Sequence, residues 1–211
     1  MSMWWGKAPV NEQRWVVLDV ETSGLDPHHD RLLAVAAVAV HRHGSHWRLS
    51  AGDAFEVVLR QPPARQVDKD NILLHGIGLQ DQQSGVWPEQ ALKSLKSYLG
   101  DSPWMGFHAP FDHAFMARAA RAAGVTWTIQ SWLDLYDLRA SFGVQPLPSS
   151  LDEALRHAGI EVAQRHHAMA DAWATAELWL YVWPRLRQQG MSSWQDISRL
   201  ARHARWLRRA E

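Results

Sequence analysis

The sequence contains no cysteine in its 211 residues. That absence excludes a disulfide scaffold, a thiolate zinc site, an iron–sulfur cluster and a cysteine nucleophile, so any metal must be bound by oxygen or imidazole. Long apolar runs are also missing. The longest, Leu32 to Val40, is about half of what a bilayer requires, and Met1 to Val10 carries no apolar signal-peptide segment. We therefore predict no membrane partner and a cytoplasmic location.

The chain has no excess of either charge, because 22 Lys and Arg residues match 22 Asp and Glu residues. Net charge alone therefore does not indicate a polyanionic partner. The distribution is uneven, since residues 192–211 carry a net charge of +3 and leave −3 for the rest. The length favours one compact domain with terminal additions.

The apolar pattern predicts an antiparallel meander followed by alternating helices and strands. The meander consists of three apolar runs separated by turn residues: Trp15–Val20, Arg31–Val40 and Ala54–Leu59. Four helices and one short strand are predicted after them: a helix from Pro88 to Gly100, the strand Trp104–Phe107, and helices from Pro110 to Gly124, from Ser150 to Gly159 and from Ala168 to Arg187. This order is typical of an α/β sandwich with a mixed sheet.

Two carboxylates are predicted at the end of the first strand. Asp19 and Glu21 are two residues apart, so they share a face with Trp15 and Val17. The opposite face is also apolar, which indicates a buried central strand whose acids need compensation. A strand end that emerges into solvent would show the same pattern, so this pair alone is weak evidence.

Two further carboxylates stand at the head of apolar helix stripes. Asp112 is followed at helical spacing by Phe115, Met116, Ala119 and Ala123, and Asp171 by Ala174, Thr175, Leu178 and Val182. Either acid could merely compensate a helix dipole. Four inward carboxylates would repel one another unless divalent cations neutralise them, and oxygen ligands favour Mg²⁺ or Mn²⁺. Such a site with two cations is typical of phosphoryl-transfer enzymes.

Three motifs that contain these acids resemble those of a known family. They are Leu18-Asp-Val-Glu-Thr-Ser-Gly-Leu-Asp-Pro followed by Asp30-Arg, Gly106-Phe-His-Ala-Pro-Phe-Asp-His-Ala-Phe-Met, and His166-His-Ala-Met-Ala-Asp-Ala-Trp-Ala-Thr-Ala-Glu-Leu. In this order they resemble the DEDD superfamily of 3′-5′ exonucleases, in the histidine-bearing branch that includes the proofreading epsilon subunit of bacterial DNA polymerase III. The resemblance implies an RNase H-like α/β fold with a mixed five-stranded sheet, an antiparallel meander and flanking helices.

The resemblance covers residues 14–187, which we expect to form the exonuclease domain, between an N-terminal extension (1–13) and a basic C-terminal helix (188–211). It implies that Asp19 binds two Mg²⁺ or Mn²⁺ ions, that Glu21 and Asp171 complete one site, and that Asp112 holds the second ion. It also implies that His166 takes a proton from the attacking water, a role for which His167 has the wrong spacing.

The same resemblance implies which residues meet the substrate. Thr22 and Leu25 correspond to positions beside the terminal nucleotide, although turn capping and core packing would also explain them. His75 lies in Asn71-Ile-Leu-Leu-His-Gly-Ile, which resembles a segment near the substrate cleft. Two residues depart from the family pattern in a way that bears on substrate choice. His108 stands where Asn is common in the family, and Ala34 stands where an acid is frequent. Neither is a metal ligand of the family.

We therefore expect a metal-dependent 3′-5′ exonuclease that releases nucleoside 5′-monophosphates from DNA in proofreading or repair. Single-stranded or frayed 3′ ends should be preferred, and a DNA polymerase is a candidate partner. The alternatives are an RNA-trimming exoribonuclease of the same branch and a non-catalytic polymerase or clamp accessory. The amphipathic C-terminal helix could pack on the body, dock a protein partner or contact phosphates.

Overall fold

The computed structural model describes residues 10–62, 69–127, 131–162 and 165–208. Five strands and seven α-helices are found there, with one 3₁₀ helix at Leu135–Phe142. In chain order they are β1 (Arg14–Thr22), β2 (Leu32–His43), β3 (His46–Val58), α1 (Lys69–His75), α2 (Leu79–Ser84), α3 (Pro88–Leu99), β4 (Trp104–Gly106), α4 (Ala109–Ala122), β5 (Trp132–Asp134), α5 (Leu151–Ala158), α6 (Ala168–Gln188) and α7 (Trp194–Arg208).

The strands form one mixed sheet in the order β3-β2-β1-β4-β5. β1, β2 and β3 pair antiparallel as a meander, whereas β4 is parallel to both β1 and β5. The predicted mixed five-stranded sheet is therefore confirmed. Because β1, β4 and β5 run in the same direction, their carboxyl ends meet at one edge of the sheet.

Helices cover both faces of the sheet, as the two-sided apolar pattern of β1 requires. Trp15 and Val17 face α6, whereas Val16 and Leu18 face α3 and α4. All four side chains are buried. β1 is thus the buried central strand that its sequence predicts, and only its carboxyl end carries acids.

β3 is longer than its sequence pattern predicts. It begins at His46 rather than at Ala54, directly after the tight turn at Gly44. Its first half pairs with β2 although half of its side chains are exposed, so the apolar alternation that marks a strand is weak there.

Five tryptophans form one buried cluster under α6. They are Trp15, Trp47, Trp179, Trp183 and Trp194, and the contacting ring centroids lie 4.3–6.4 Å apart. Trp194 belongs to α7, so this cluster ties the C-terminal helix to the central sheet. These five of the chain's 13 tryptophans therefore serve packing, and Trp4 and Trp5 lie outside the described residues.

The C-terminal helix packs on the body of the molecule. Trp194, Ile197 and Ala201 are buried on its inner face, and the Trp194 indole donates a hydrogen bond to the Ser131 hydroxyl (2.7 Å). Ser193 caps the helix, since its hydroxyl accepts a hydrogen bond from the Asp196 amide. Of the three roles considered for this helix, packing on the body is the one observed. Residues 209–211, at its predicted end, lie outside the described part.

Within the described ranges, none of the helices combines the length and the apolar character that crossing a bilayer would need.

Candidate active site

Three of the four predicted carboxylates converge at the carboxyl end of β1. Oxygen atoms of Asp19, Glu21 and Asp171 all lie within 4.8 Å of one another. We refer to these three residues as the carboxylate cluster. Asp19 and Glu21 come from β1, and Asp171 from the first turn of α6.

The local sequence explains why these acids meet. Strand alternation directs Asp19 and Glu21 to the face that α6 covers. Their neighbours on β2 are Ala36 and Ala34, whose small side chains leave space above the sheet. The buried stripe behind Asp171 holds α6 against the sheet and thereby fixes its carboxylate at the cluster.

Asp112 lies beside the carboxylate cluster rather than within it. It is 4% exposed in the first turn of α4, and its negative charge acts on Asp19. Gly106 at the end of β4 allows this close approach. A Cβ atom at Gly106 would lie 3.0 Å from the Leu18 carbonyl oxygen and 3.3 Å from the Asp112 carboxylate.

Burial and mutual repulsion disfavour the ionised forms of these acids. Desolvation, with the charges of Asp112 and Glu21, raises the pKa of Asp19 well above its ordinary value, and Arg165 partly opposes the shift. Desolvation raises the pKa of Glu21 to about 7. It also raises the pKa of Asp112 well above normal, although backbone hydrogen bonds at Asp112 and Val20 oppose this. The folded chain therefore concentrates acids that a cation would stabilise.

Arg165 supplies one positive charge to this site. Its guanidinium forms ion pairs with Asp171 and with Asp152 of α5. The carboxylate cluster thus already attracts a cationic group, and its ligand atoms are all oxygen. Both observations fit a hard divalent cation. Arg165 carries no signal in the sequence, since an arginine three residues before an apolar helix has no distinctive pattern.

His166 and His167 point to different surroundings. The His166 backbone amide donates a hydrogen bond to the Asp171 carboxylate (3.2 Å), and the residue is exposed with φ of 60°. A positive φ is uncommon for a residue other than glycine and is often found at functional sites. His167 faces Glu56 of β3 instead, with 3.8 Å between Nδ1 and Oε1. Of the two, His166 is the one whose backbone amide is bonded to the Asp171 carboxylate.

The predicted substrate-contacting residues differ in exposure. Leu25 is 84% exposed in the turn after β1, whereas Thr22 is buried and its hydroxyl donates a hydrogen bond to the Gly24 carbonyl (2.7 Å). His75 is only 1% exposed. Leu25 is therefore available at the surface, Thr22 shapes the turn, and His75 lies beneath it.

His75 belongs to a hydrogen-bond chain that ends at the β1 terminus. Its Nδ1 accepts from the Ile77 amide (2.9 Å), so Nε2 carries the proton and donates to the Asn71 side-chain oxygen (2.7 Å). The Asn71 amide nitrogen then donates to the Thr22 carbonyl (3.2 Å). Burial lowers the pKa of His75, which favours this neutral form. His75 thus positions the turn that carries Leu25.

A second set of contacts holds the same turn from the other side. The Asp30 carboxylate accepts hydrogen bonds from the Asp26 amide (2.9 Å) and the Ser23 hydroxyl (3.2 Å). Arg118 of α4 donates to the carbonyls of Pro27 and Asp30. The Asp30-Arg part of the first motif is therefore explained by the shape of the turn, whereas the role of Arg118 had no signal in the sequence.

The family comparison agrees with this architecture. Residues 16–179, most of the chain, match the family model described as Exonuclease. The PolC-type DNA polymerase III of Staphylococcus saprophyticus is 27% identical over 186 residues, which cover 87% of this chain and 12% of that protein. The corresponding polymerase of Staphylococcus epidermidis is 23% identical over 191 residues, covering 90% and 13%. The chain thus spans a small fraction of the length of these curated relatives.

Solved structures share the fold. The complex of Escherichia coli Exonuclease I with single-stranded DNA matches with a TM-score of 0.69 and 20% identity, covering 84% of this chain and 42% of that one. Cell-death related nuclease 4 matches with a TM-score of 0.70 and 13% identity, covering 85% and 65%. The sheet is therefore of the RNase H-like type. The chain belongs to the exonuclease family, and its three motifs resemble those of the DnaQ-like 3′-5′ exonucleases.

Proposed function

We propose that this protein is a metal-dependent 3′-5′ exonuclease that hydrolyses DNA from a free 3′ end and releases nucleoside 5′-monophosphates. The observation that carries the proposal is the carboxylate cluster at the carboxyl end of β1, within a fold of the exonuclease family. Asp19, Glu21 and Asp171 would hold one Mg²⁺ or Mn²⁺ ion, and Asp19 with Asp112 a second. When bound, such cations stabilise the attacking and leaving oxygens and acidify water.

The chain's own residues supply the remaining chemistry. Water attacks the terminal phosphodiester phosphorus, and the bond between phosphorus and the leaving 3′ oxygen breaks. The leaving oxygen takes a proton from solvent, so the shortened strand ends in a new 3′-hydroxyl and the released nucleotide carries the 5′-phosphate. The exposed imidazole of His166 accepts a proton of the attacking water, since histidine is the side chain most often used as a general base. Leu25 offers an apolar surface under the last base.

Several observations support DNA as the substrate. The sequence relatives are DNA polymerases, and Exonuclease I, which shares the fold, has been solved with single-stranded DNA. The terminal nucleotide must leave the duplex to reach the carboxylate cluster, so single-stranded and frayed ends should be degraded fastest. We further propose that the protein acts in proofreading or repair, in the cytoplasm and with a DNA polymerase as partner.

The test is a gel assay of one chain preparation on three 5′-labelled substrates: single-stranded DNA, a 3′-recessed duplex with a matched or mismatched end, and single-stranded RNA. Each is incubated with Mg²⁺, Mn²⁺ or EDTA. We expect a 3′-shortened ladder on DNA that requires metal and is faster on the mismatched end. Faster degradation of RNA would favour the exoribonuclease alternative. Binding without degradation under any condition would favour a non-catalytic accessory.

A further inference from the structure

A cluster of arginines lies two strands away from the carboxylate cluster, at the same edge of the sheet. The 3₁₀ helix that follows β5 contributes Arg139, and the end of α7 contributes Arg205 and Arg208. We refer to these three residues as the basic cluster. Gly106 at the end of β4 pairs with Asp134 at the end of β5, so the residues that follow these strands are neighbours.

Tyr136 organises the basic cluster. The guanidinium groups of Arg139 and Arg208 lie over its ring, 4.2 and 4.9 Å from the centroid. The ring of His108 lies 4.4 Å from the same centroid. Such cation–π contacts hold the arginines in place with little loss of their hydrogen-bonding capacity, because the ring takes none of their N–H donors.

The basic cluster carries more positive charge than the carboxylate of Asp137, with which it forms ion pairs, can neutralise. Asp137, whose side chain is fully buried, accepts ion pairs from Arg205 (2.7 Å) and Arg208 (2.9 Å). One carboxylate balances only one of these two guanidiniums, and Arg139 adds a further charge. The side chains of Arg205 and Arg208 are 27% and 34% exposed, so part of each faces solvent.

The basic cluster is connected to the catalytic region through His108. The His108 backbone amide donates a hydrogen bond to the Asp134 carboxylate (2.8 Å). In the sequence, His108 precedes Asp112 by about one helical turn. His108 is exposed and has φ of 62°, an uncommon conformation for a histidine at the start of a helix. Its imidazole therefore borders the basic cluster, while its backbone begins the helix that carries Asp112.

We propose that the basic cluster, with the imidazole of His108, binds internal phosphates of the same strand whose 3′ end enters the carboxylate cluster. This inference rests on the proposed function. The chain outside residues 192–211 has a net charge of −3, so counterion release contributes little to its binding of nucleic acid. Positively charged side chains near the site are therefore needed to hold a polyanion beside four carboxylates. Arginine suits phosphate recognition, because its fork of donors matches phosphate oxygens. α7 then contributes to substrate binding as well as to stability.

The decisive variant is Arg139→Gln, because Arg139 contacts the Tyr136 ring and takes no part in the ion pairs that hold α7. Arg121→Gln is the matched control: it removes the same charge at the exposed far end of α4. Arg139→Lys keeps the charge. Binding of a fluorescein-labelled 12-nucleotide single-stranded DNA is measured by anisotropy in EDTA over a range of salt concentrations, and melting temperatures verify folding.

We expect Arg139→Gln to weaken binding roughly fivefold and to reduce the slope of log Kd against log salt by about 0.7, the value for one lost phosphate contact on a single strand. Arg121→Gln should change neither quantity, and Arg139→Lys should retain most of the slope. If Arg139→Gln and Arg121→Gln are indistinguishable, the proposal is wrong.

A second measurement separates internal phosphates from the reacting one. The p-nitrophenyl ester of thymidine 5′-monophosphate has a cleavable phosphodiester but no internal phosphate. Arg139→Gln should raise KM for the oligonucleotide and leave kcat/KM for the ester unchanged. An equal loss on both substrates would overturn the proposal. If the wild-type chain cleaves neither substrate, the proposed function fails, whereas the anisotropy comparison in EDTA still decides the role of the basic cluster.

Discussion

Arg165 forms an ion pair with Asp171, a member of the carboxylate cluster, and its charge also acts on Asp19 and Glu21. A guanidinium in this position competes with a divalent cation for the same carboxylates. The ion pair of Arg165, which lies next to His166, should therefore lower the affinity of the carboxylate cluster for a metal ion.

Replacing Arg165 by Gln should accordingly tighten metal binding. Loss of a competing ion pair worth about 1 kcal/mol corresponds to a roughly fivefold lower Kd for Mn²⁺. The measurement is calorimetric titration of Mn²⁺ into the protein without nucleic acid. Arg156→Gln, an exposed arginine in the last turn of α5, is the matched control and should leave the Kd unchanged. Weaker Mn²⁺ binding by Arg165→Gln would mean that the guanidinium supports the metal-bound form.

Asp19→Ala should abolish turnover without unfolding the protein. It removes the ligand that the proposal places between both cations, so we expect a rate loss of roughly 10²-fold or more. Folding should survive, because one member of a repelling group of acids is removed. Exonuclease rate at saturating Mn²⁺ and melting temperature in EDTA are measured together. Glu161→Ala, a change at an exposed acid outside the cluster, is the control. A variant that keeps more than a tenth of the wild-type rate would contradict the shared-ligand role.

His166→Ala should lower kcat by roughly 10²- to 10⁴-fold, the usual contribution of a general base. The defect should shrink as the pH is raised from 7 to 9, because hydroxide then replaces the base. His167→Ala is the matched control and should stay near the wild-type rate, since His167 faces Glu56 on β3. If the His167 variant is the more damaged of the two, the general base has been assigned to the wrong histidine.

The parts of the site that the sequence predicts are those supported by regular periodicity. Asp19 and Glu21 follow from strand alternation, and Asp171 follows from the stripe on α6, because a carboxylate at the head of a buried stripe must face the core. Positions in loops follow no such rule. Arg165 reaches Asp171 through an irregular segment, and the burial of His75 depends on how α1 packs under the turn at Thr22.

In the fold, too, the elements with regular periodicity are the ones that the sequence predicts. Long elements with strong periodicity, such as β1, β2, α4 and α6, are predicted within a few residues. β5 has only three residues and exists because β4 offers it an edge, which no local pattern reveals. The helices α1 and α2 are seven and six residues long, too short for a stable periodic signal. The first half of β3 is missed because half of its side chains are exposed and polar.

The raised pKa values predict how metal and pH act together on stability. The pKa of Glu21 is about 7 in the folded chain against an ordinary 4.5. Between these values the folded state binds more protons than the unfolded state, so the free energy of unfolding falls as the pH rises, by up to ~3 kcal/mol for this group. The raised pKa values of Asp19 and Asp112 act in the same direction.

Mn²⁺ should therefore raise the melting temperature more at pH 7.5 than at pH 5, each compared with EDTA at the same pH. At the lower pH the acids are largely protonated in the folded chain, so the cation must displace protons to bind. Asp19→Ala should lose most of the Mn²⁺ effect at pH 7.5. An equal rise at both pH values in the wild-type chain would show that the carboxylate cluster does not titrate with the raised pKa values described above.

Trp194 should account for much of the stability that α7 adds. Its side chain is buried against Trp15, with ring centroids 4.9 Å apart, and its indole N–H is bonded to Ser131. Trp194→Ala should lower the free energy of unfolding by ~3–5 kcal/mol, the range for large aromatic residues in a core. Trp206→Ala is the matched control, because Trp206 is 64% exposed on the outer face of the same helix. Urea unfolding followed by circular dichroism gives both values. The substitution at Trp194 creates a cavity at the sheet, whereas the substitution at Trp206 removes surface that is already in contact with water. If both variants lose the same small amount of unfolding free energy, α7 is held by its ion pairs to Asp137 rather than by its apolar face.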